Sequence, residues 1–425
     1  MIHTTRLPDL LLTSHQFTVP MDHDLPDADS ITVFAREARR PEAEAAELPW
    51  LVFLQGGPGH GSPRPPSRNG WIGRAVEDYR VLLLDQRGTG LSSPLLAQTL
   101  AHLSPEEQAR TFMNFRADSI VRDLECIRRD LIGDDRWSLL GQSYGGFCAV
   151  HYLSAAPQGL RQVMITGGLP PTGRDVDDVY RTTYPIVAER NRRYYERYPE
   201  DADRVRAIMR HLDVNRVPWP GGERLSPRQL QQLGLGLGMS DGAEKIHYLV
   251  EQAFVSGHTG PEISEAFVTG VAAELPFLLH PIFSILHEAG YCEGGPSRWS
   301  AQRLRGDYAQ FDLSSDGPPH FTGEMIYPWQ FEEYEQLAPF REATEILADY
   351  DGWPALYDLE HLGANEVPCA AAVYPDDMYV APGLSQETAA RIQGIEVWLA
   401  DEYQHDALRV VGEPILDRLM SMLSP

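Results

Sequence analysis

The sequence contains little cysteine, and its four cysteines are too widely separated to form a motif. They stand at positions 126, 148, 292 and 369, without a Cys-x-x-Cys pair or the spacing of zinc ligands. His287 and Glu288 are adjacent, but no second histidine follows at helical spacing, so the zinc-protease pattern is absent as well. We therefore expect reduced thiols, no disulfide framework and no metal site.

Basic residues are scarce relative to acidic ones. Lysine and arginine together number 36 against 61 aspartates and glutamates, which gives a formal net charge of -25. Nucleic-acid binding depends on a basic face that neutralises phosphates, so no nucleic-acid partner is expected. An acidic surface of this kind mildly favours cationic substrates.

Long hydrophobic runs are also missing. The longest apolar stretch, residues 268–286, is interrupted by Glu274, Pro276, His280 and Pro281. Such a stretch is too polar to predict a membrane span. The first six residues lead into no apolar segment of the kind that a signal peptide has. We therefore expect a cytoplasmic protein with no membrane partner.

Strand and helix patterns alternate over residues 1–171. Strands are predicted at 16–19, 31–35, 49–54, 80–85, 137–140 and 161–166, and helical periodicity covers 118–132. This alternation indicates an α/β fold with a mostly parallel sheet and helices on both faces. Residues 172–335 lose the strand pattern and predict a helical cap inserted into the core. A strand-like run at 367–374 and a helix-like run at 415–423 predict that residues 336–425 complete the core.

The most informative segment is Gly141-Gln142-Ser143-Tyr144-Gly145, which joins an apolar strand to a helix-like run. This context is typical of the nucleophile elbow, a turn so tight that its serine has a strained backbone and an exposed Oγ. The flanking glycines avoid collisions with the strand and the helix around the turn. Ser143 is therefore the predicted nucleophile, and a glycine-rich turn with a solvent-facing serine is the alternative.

A serine hydroxyl is a poor nucleophile, so it needs a base, and the base needs an orienting acid. In proteins with this elbow, the acid and then the histidine follow the serine along the chain. Of the 14 histidines, only His405 lies beyond the acidic turn Asp376-Asp377, which ends the last clear strand. We predict His405 as the base. Asp377 precedes an apolar run and is the predicted acid, with Asp376 as the alternative.

The transition state also requires hydrogen-bond donors for the developing oxyanion. The elbow supplies the backbone N–H of Tyr144, and the glycine-rich loop at 55–59 supplies a second donor, for which we predict Gly57. Residues 234–238 alternate glycine and leucine, but no strand precedes them and their spacing is not that of a dinucleotide fingerprint. No cofactor is therefore expected.

Three motifs resemble those of the proline iminopeptidase (prolyl aminopeptidase) family of α/β-hydrolases. They are Gly56-Gly57-Pro58-Gly59, the Asp-Gln-Arg-Gly-Thr-Gly-Leu-Ser loop at 85–92, and the elbow at 141–146. The length of the cap and the closing motifs at 374–379 and 402–406 resemble the longer bacterial branch, so the resemblance spans nearly the whole chain. The sequence departs from the family at Gln55, where histidine is usual. It also lacks the usual Gly-Arg-x-Asp near the triad acid, which keeps Asp376 open.

The resemblance implies an α/β-hydrolase fold with a large inserted helical cap. It also implies hydrolysis of a peptide with a free N-terminal proline. A cationic amine is held most strongly by carboxylates in a low dielectric, and the resemblance assigns this role to Glu288 and Glu324. Phe147, just after the elbow, is a candidate for the apolar pocket of the proline ring. The alternatives are capping or surface carboxylates for the two glutamates and a core position for Phe147.

Other hypotheses use the same residues. A carboxylesterase or a di- or tripeptide-releasing aminopeptidase would share the triad and differ in the cap, and a longer pocket before the glutamates would favour oligopeptide release. A catalytically silent α/β-hydrolase acting as a binding module belongs to another class, and the presence of Ser143, His405 and an acid disfavours it. The sequence leaves the oligomeric state open.

Overall fold

The computed structural model describes residues 3–44, 46–220, 222–258 and 260–423, with the backbone alone at position 278. Residues 1 and 2 lie outside the described residues. They belong to the N-terminal segment for which the sequence predicts no signal peptide. None of the helices in the described ranges combines the length and the apolar composition that a bilayer crossing requires.

The described residues form a nine-stranded sheet and a separate two-stranded hairpin. The order in the large sheet is β1-β2-β3-β5-β4-β6-β7-β10-β11, and β8 pairs with β9 in the hairpin. Pairing is antiparallel from β1 to β3 and between β3 and β5, and parallel across the rest. The strands are β1 His3–Arg6, β2 Leu11–Pro20, β3 Ser30–Arg39, β4 Trp50–Leu54, β5 Arg80–Leu84, β6 Trp137–Gln142, β7 Leu160–Thr166, β8 Phe254–Ser256, β9 Pro261–Ile263, β10 Cys369–Val373 and β11 Ile395–Leu399.

Helices cover both faces of the sheet and make up most of the segment between β7 and β10. Those before this segment are α1 Gly70–Ala75, α2 Ala97–Leu100, α3 Pro105–Met113, α4 Ala117–Ile132 and α5 Tyr144–Ala155. Those within it are α6 Val176–Arg197, α7 Asp201–Val214, α8 Pro227–Gln231, α9 Gly242–Glu251, α10 Glu265–Glu274, α11 Pro281–Leu286, α12 Ser300–Arg305, α13 Gln330–Glu333, α14 Arg341–Asp349 and α15 Leu359–Gly363. The remaining helices are α16 Pro382–Ala389, α17 Ala407–Val410 and α18 Gly412–Met422.

The six strands predicted before residue 171 are confirmed, as are the helix α4 and the closing strand β10. In the central parallel strands β4, β6 and β10, side chains alternate between the two faces and both sets are buried because both faces are covered by helices. In β2 the alternation leaves Gln16 and Thr18 exposed. In β4, for example, Val52 and Leu54 pack with α4 and α5, whereas Leu51 and Phe53 pack with α1 and α18. The predicted α/β class with a mostly parallel sheet is thereby confirmed.

The structure differs from the sequence prediction at four strands. The edge strands β1 and β11 were not predicted, because a strand with few buried side chains shows little hydrophobic contrast. The hairpin of β8 and β9 interrupts the segment that we predicted as helical throughout. The domain limits at 171 and 335 stay predictions, although the segment between β7 and β10 is dominated by helices.

The parallel strands bring their carboxyl ends to one edge of the sheet, which is where ligands bind in α/β folds. The loop at 55–59 follows β4, Ser143 follows β6, and Asp377 and His405 come after β10 and β11. Residues that are more than 300 positions apart are therefore brought to the same place by the topology.

Candidate active site

Ser143 occupies the sharp turn between β6 and α5. Its backbone angles are φ 53° and ψ -124°, a region that non-glycine residues rarely adopt. The turn is held because the Ser143 N–H donates to the Thr166 carbonyl at 3.0 Å and the Ser143 carbonyl accepts the Gly146 N–H at 2.7 Å. This strained turn directly after a buried strand is the geometry expected of a nucleophile elbow.

Glycine is required around this turn because neighbouring backbones approach closely. A Cβ at Gly145 would stand 1.9 Å from the Leu54 carbonyl oxygen, and one at Gly146 would stand 2.4 Å from the Gly168 carbonyl oxygen. The helix α5 therefore packs against β4 and against the end of β7 in a way that no side chain permits.

Asp377 and His405 are in direct contact. The carboxylate oxygen Oδ2 of Asp377 accepts the Nδ1–H of His405 at 2.6 Å, and both side chains are buried. The other oxygen, Oδ1, accepts the backbone N–H groups of Tyr379 at 2.8 Å and Val380 at 3.0 Å. Burial lowers the pKa of His405, but the attraction of Asp377 outweighs it, so the pKa is raised from its ordinary value. The imidazole is thus held in one orientation with Nε2 available for proton transfer.

The alternative acid, Asp376, has a different environment. Its side chain is about half exposed and pairs with Arg193 of α6, with 2.7 Å between Oδ2 and the guanidinium nitrogen. The geometry therefore brings Asp377 to His405 and leaves Asp376 on the surface.

Ser143 and His405 line the same cavity, which has a volume of about 310 Å³. Ser143 and His405 also border the turn after β7. A Cβ added at Gly167 would stand 3.0 Å from His405 Nδ1, and one added at Gly168 would stand 2.4 Å from the Ser143 carbonyl oxygen. Within the described ranges, the Ser143 hydroxyl makes no hydrogen bond. Catalytic hydrogen bonds often tighten only when substrate is bound.

The glycine-rich loop after β4 lies against Ser143. A Cβ at Gly56 would stand 2.9 Å from Ser143 Cβ, and Gly57 has a positive φ of 137°. Tyr144 is the first residue of α5, and the first N–H groups of a helix have no acceptor within the helix. The structure therefore brings the two predicted oxyanion donors, Gly57 and Tyr144, to the lining of one narrow recess beside Ser143.

The Asp-Gln-Arg-Gly loop after β5 braces the glycine-rich loop. The Gln86 side-chain amide donates to the Gln55 carbonyl at 3.0 Å. Arg87 is fully buried and pairs with Asp123 of α4. Asp85 accepts the Ser62 N–H at 2.9 Å. These contacts fix the backbone around the cavity, so the structure gives this motif a supporting role rather than contact with substrate.

Glu324 lies where the cavity and the narrow recess meet, since it lines both. The protein around it raises its pKa to about 8, chiefly because burial disfavours the charged form, and Asp377 adds to the rise. No hydrogen bond or ion pair joins its carboxylate to any described residue. This carboxylate is therefore available to a cation that enters the cavity.

Glu288 has a different position from the one that the sequence predicts. Its carboxylate accepts the backbone N–H groups of Ser300 at 3.1 Å and Ala301 at 2.9 Å, which are the first two residues of α12. Glu288 is not one of the described residues that line the cavity or the recess. Both oxygens satisfy amides that a helix start leaves without acceptors, so Glu288 caps a helix and the predicted direct contact with the amine is not supported.

Phe147 lines the narrow recess beside Ser143. Its ring lies 5.7 Å from the rings of Tyr144 and Tyr291, measured between centroids. His287 also lines the recess, and burial lowers its pKa to about 4, so it is a neutral ring there. The recess is consequently an apolar, aromatic space with one carboxylate, that of Glu324, at its opening.

Two contacts that the sequence did not reveal hold the catalytic loops. Arg190 of α6 donates both to the Asp376 carbonyl and to the side chain of Gln404, which precedes His405. Asp406 accepts the N–H of Ser240 at 3.0 Å and its hydroxyl at 2.6 Å. The helical segment therefore fixes the loops that carry the acid and the histidine. Sequence offers no signal for these pairs, because the partners are 166 or more positions apart.

One acidic cluster away from the cavity has the composition of a metal site. Glu200, Asp201 and His247 place ligand atoms within 4.8 Å of one another. However, the Asp201 oxygens already accept from Arg204 at 2.9 Å, from Tyr194 at 2.6 Å and from His247 at 2.8 Å. The cluster is therefore an internal hydrogen-bond network, in which Arg204 supplies the positive charge that a metal ion would bring.

Known proteins are similar to this chain in sequence. A family model described as the alpha/beta hydrolase fold matches residues 49–210. A proline iminopeptidase of Aeromonas sobria is 48% identical over 409 residues, which are 96% of this chain and 95% of the relative. A proline iminopeptidase of Aspergillus aculeatus is 35% identical over 96% of this chain and 92% of its own. A probable proline iminopeptidase of Streptomyces coelicolor is 29% identical over 43% of this chain and 51% of its own.

The sheet, the elbow and the family match define an α/β-hydrolase with a serine at the nucleophile position. Identity over nearly the whole length goes further, and the chain belongs to the proline iminopeptidase family of these hydrolases. The resemblance inferred from the sequence is confirmed. The chain is accordingly a hydrolytic enzyme.

Proposed function

We propose that this enzyme releases an unblocked N-terminal residue, preferentially proline, from peptides through an acyl-enzyme intermediate. Ser143 is the nucleophile, His405 the base and Asp377 the acid that orients it. The backbone N–H groups of Tyr144 and Gly57 stabilise the oxyanion. The proposal rests on the family, on the carboxylate–imidazole contact and on the environment of Glu324.

The chemistry proceeds in two stages. His405 Nε2 takes the proton of the Ser143 hydroxyl while Oγ attacks the carbonyl carbon of the first residue. The resulting imidazolium gives that proton to the departing peptide amine, and the prolyl ester remains on Ser143. A water molecule then attacks the ester, His405 takes its proton, and the proton returns to Oγ as proline leaves.

The observation that carries the amine specificity is the unpaired carboxylate of Glu324 at the edge of the recess beside Ser143. A half-buried carboxylate without a cation is unfavourable, as its raised pKa reflects, and a protonated secondary amine supplies the missing charge. The pairing is strong because the site is partly shielded from water. Glu324 therefore holds the terminal imino group while the adjacent carbonyl lies against Ser143 Oγ.

The aromatic recess supports the preference for proline. Phe147, Tyr144 and Tyr291 present flat apolar surfaces at the distance of ring contacts. The recess has a volume of only about 10 Å³, so the pyrrolidine ring enters as these aromatic side chains move apart, and its rigidity keeps the loss of conformational entropy small. Because Glu324 lies at the opening of the recess, one residue separates the amine from the scissile bond, which favours release of a single residue over di- or tripeptides.

A comparison of free and blocked substrates tests the proposal. L-Prolyl arylamide should be hydrolysed at least about 100-fold more efficiently than N-acetyl-L-prolyl arylamide, because acetylation removes the charge that Glu324 binds. L-Prolyl arylamide should also exceed L-alanyl arylamide in kcat/KM. Equal turnover of the acetylated compound would instead indicate an esterase-like or amidase-like enzyme.

A further inference from the structure

The sequence of 425 residues contains a single lysine, Lys245. It lies on α9 and lines the cavity that contains Ser143 and His405. Arg409 on α17, four positions after His405, lines the same cavity. In a chain with a net charge of -25, two cations therefore line one cavity, each beside an aspartate partner.

The cavity has opposite charges at its two ends. Glu324 lies at the inner end, where it also borders the recess beside Ser143. Lys245 and Arg409 lie at the solvent side, with side-chain exposures of 42% and 65%. Glu274 also lines the cavity and is exposed, so its charge opposes the two cations and is screened by solvent as theirs are.

Lys245 and Arg409 each form an ion pair with an aspartate three or four positions earlier on the chain. Lys245 pairs with Asp241 one turn earlier at 3.3 Å, and Arg409 pairs with Asp406 at 2.9 Å. The Lys245–Asp241 pair is exposed on both sides and contributes little stability. In the other pair only Arg409 is exposed, because the side chain of Asp406 is buried. Asp406 keeps its hydrogen bonds to Ser240 when Arg409 turns away. Both side chains are long and flexible, so they can reach an anion inside the cavity at small cost.

Building on the proposed function, we propose that Lys245 and Arg409 bind the C-terminal carboxylate of short peptides, so that the preferred substrates are di- and tripeptides with a free carboxylate. A short peptide is a zwitterion, and its ammonium and carboxylate match Glu324 and the two cations respectively. The cavity volume of about 310 Å³ is at the small end for ligand sites, which also favours short peptides.

A second cavity extends the same region. Its volume is about 630 Å³, and it shares His405 and Arg409 with the first. It is also lined by Trp71 and by Pro65 and Pro66 of the loop before α1. Arg409 lies between the two spaces, so it reaches the carboxylate of a dipeptide in the first cavity and that of a tripeptide entering the second.

The test compares Pro-Ala with Pro-Ala amide, which differ only in the C-terminal charge. The wild-type enzyme should prefer Pro-Ala about tenfold in kcat/KM, mainly through KM, because the carboxylate makes charge-assisted contacts. In the double variant Lys245→Met/Arg409→Met the preference should fall below about threefold, and it should also fall in the wild type as salt is raised. Lys245→Arg keeps the charge and should keep the preference.

Arg122→Met is the matched control, because Arg122 is a half-exposed arginine of α4 that pairs with Asp24. It removes one surface charge and should leave the ratio unchanged. The inference is overturned if wild type shows no preference, if the double variant keeps it, or if the control lowers it equally. Turnover of L-prolyl arylamide by the wild type distinguishes a failure of this inference from a failure of the proposed function. Absence of that turnover would overturn the proposed function itself.

Discussion

Asp377 and His405 lie 28 positions apart and are joined by one hydrogen bond of 2.6 Å between Oδ2 and Nδ1. The second carboxylate oxygen of Asp377 is held by two backbone amides, so the acid cannot rotate without breaking three hydrogen bonds. His405 is consequently fixed in the tautomer that leaves Nε2 free to accept a proton. The neighbouring Asp376 has none of these contacts.

Exchange of the two aspartates for asparagine separates their roles. Asp377→Asn should lower kcat for L-prolyl arylamide by about 10³–10⁴-fold, because the amide no longer holds the required tautomer or stabilises the imidazolium. Asp376→Asn should change kcat by less than about threefold, since the pair with Arg193 is exposed. A comparable loss in both variants would contradict the assignment of the acid.

Removal of the Glu324 charge should affect substrates with a free amine selectively. Glu324→Gln should lower kcat/KM for L-prolyl arylamide by about 100-fold, since the ammonium would lose its charged partner. The slow turnover of N-acetyl-L-prolyl arylamide should change by less than about threefold. Equal losses on both substrates would indicate that Glu324 acts in the chemistry rather than in binding the amine.

The pH dependence of kcat/KM follows from the charges around His405. Glu324 binds the amine only when ionised and His405 acts as a base only when neutral, so kcat/KM falls as the pH drops below about 8, the raised pKa of Glu324, and then through the raised pKa of His405. Glu324→Gln should therefore move the acid limb of the profile to lower pH. Asp376→Asn should leave the limb in place. If the acid limb of Glu324→Gln stays at the wild-type pH or moves to higher pH, this account is contradicted.

Arg190 should act as a positioning residue. It holds the Asp376 carbonyl and the Gln404 side chain, and thereby the loops of Asp377 and His405. Arg190→Met should lower kcat by about tenfold with little change in KM, because the reacting groups lose alignment while the amine and ring sites remain. Arg193→Met is the control on the same helix, and a kcat loss as large as that of Arg190→Met would argue against this role.

Glu288 should contribute to stability rather than to amine recognition. Glu288→Ala leaves two buried helix amides, those of Ser300 and Ala301, without an acceptor, which should lower the free energy of unfolding by about 1–3 kcal/mol. The ratio of kcat/KM for free and N-acetylated prolyl arylamide should stay that of wild type. A collapse of this ratio with an unchanged melting temperature would restore the direct amine contact that the sequence predicts.

The sequence predicts the parts of the site that local backbone geometry dictates. The elbow needs glycine at 141, 145 and 146 because backbones approach within 2.5 Å of their missing side chains, and that requirement is visible as a motif. The order of serine, acid and histidine follows from the order of strands in the sheet. Buried strands such as β4 and β5 are continuous apolar runs, so they are equally easy to predict.

Other features depend on contacts between distant segments and leave no local pattern. Glu288 caps a helix that begins 12 positions later, and nothing in its own segment distinguishes a cap from a ligand. Arg190 resembles any other arginine of the charged helix α6 until the fold brings it to the catalytic loops. The edge strand β11 has exposed apolar residues on one side, so the burial pattern that reveals β4 is absent from it.

The most direct test of the account is the turnover of L-prolyl arylamide by Ser143→Ala, with the melting temperature measured in parallel. The account predicts a loss of at least about 10⁴-fold in kcat with an unchanged melting temperature, and labelling of the wild type by a fluorophosphonate at Ser143 alone. Turnover within tenfold of wild type, or labelling at another residue, would contradict the claim that Ser143 carries the acyl group.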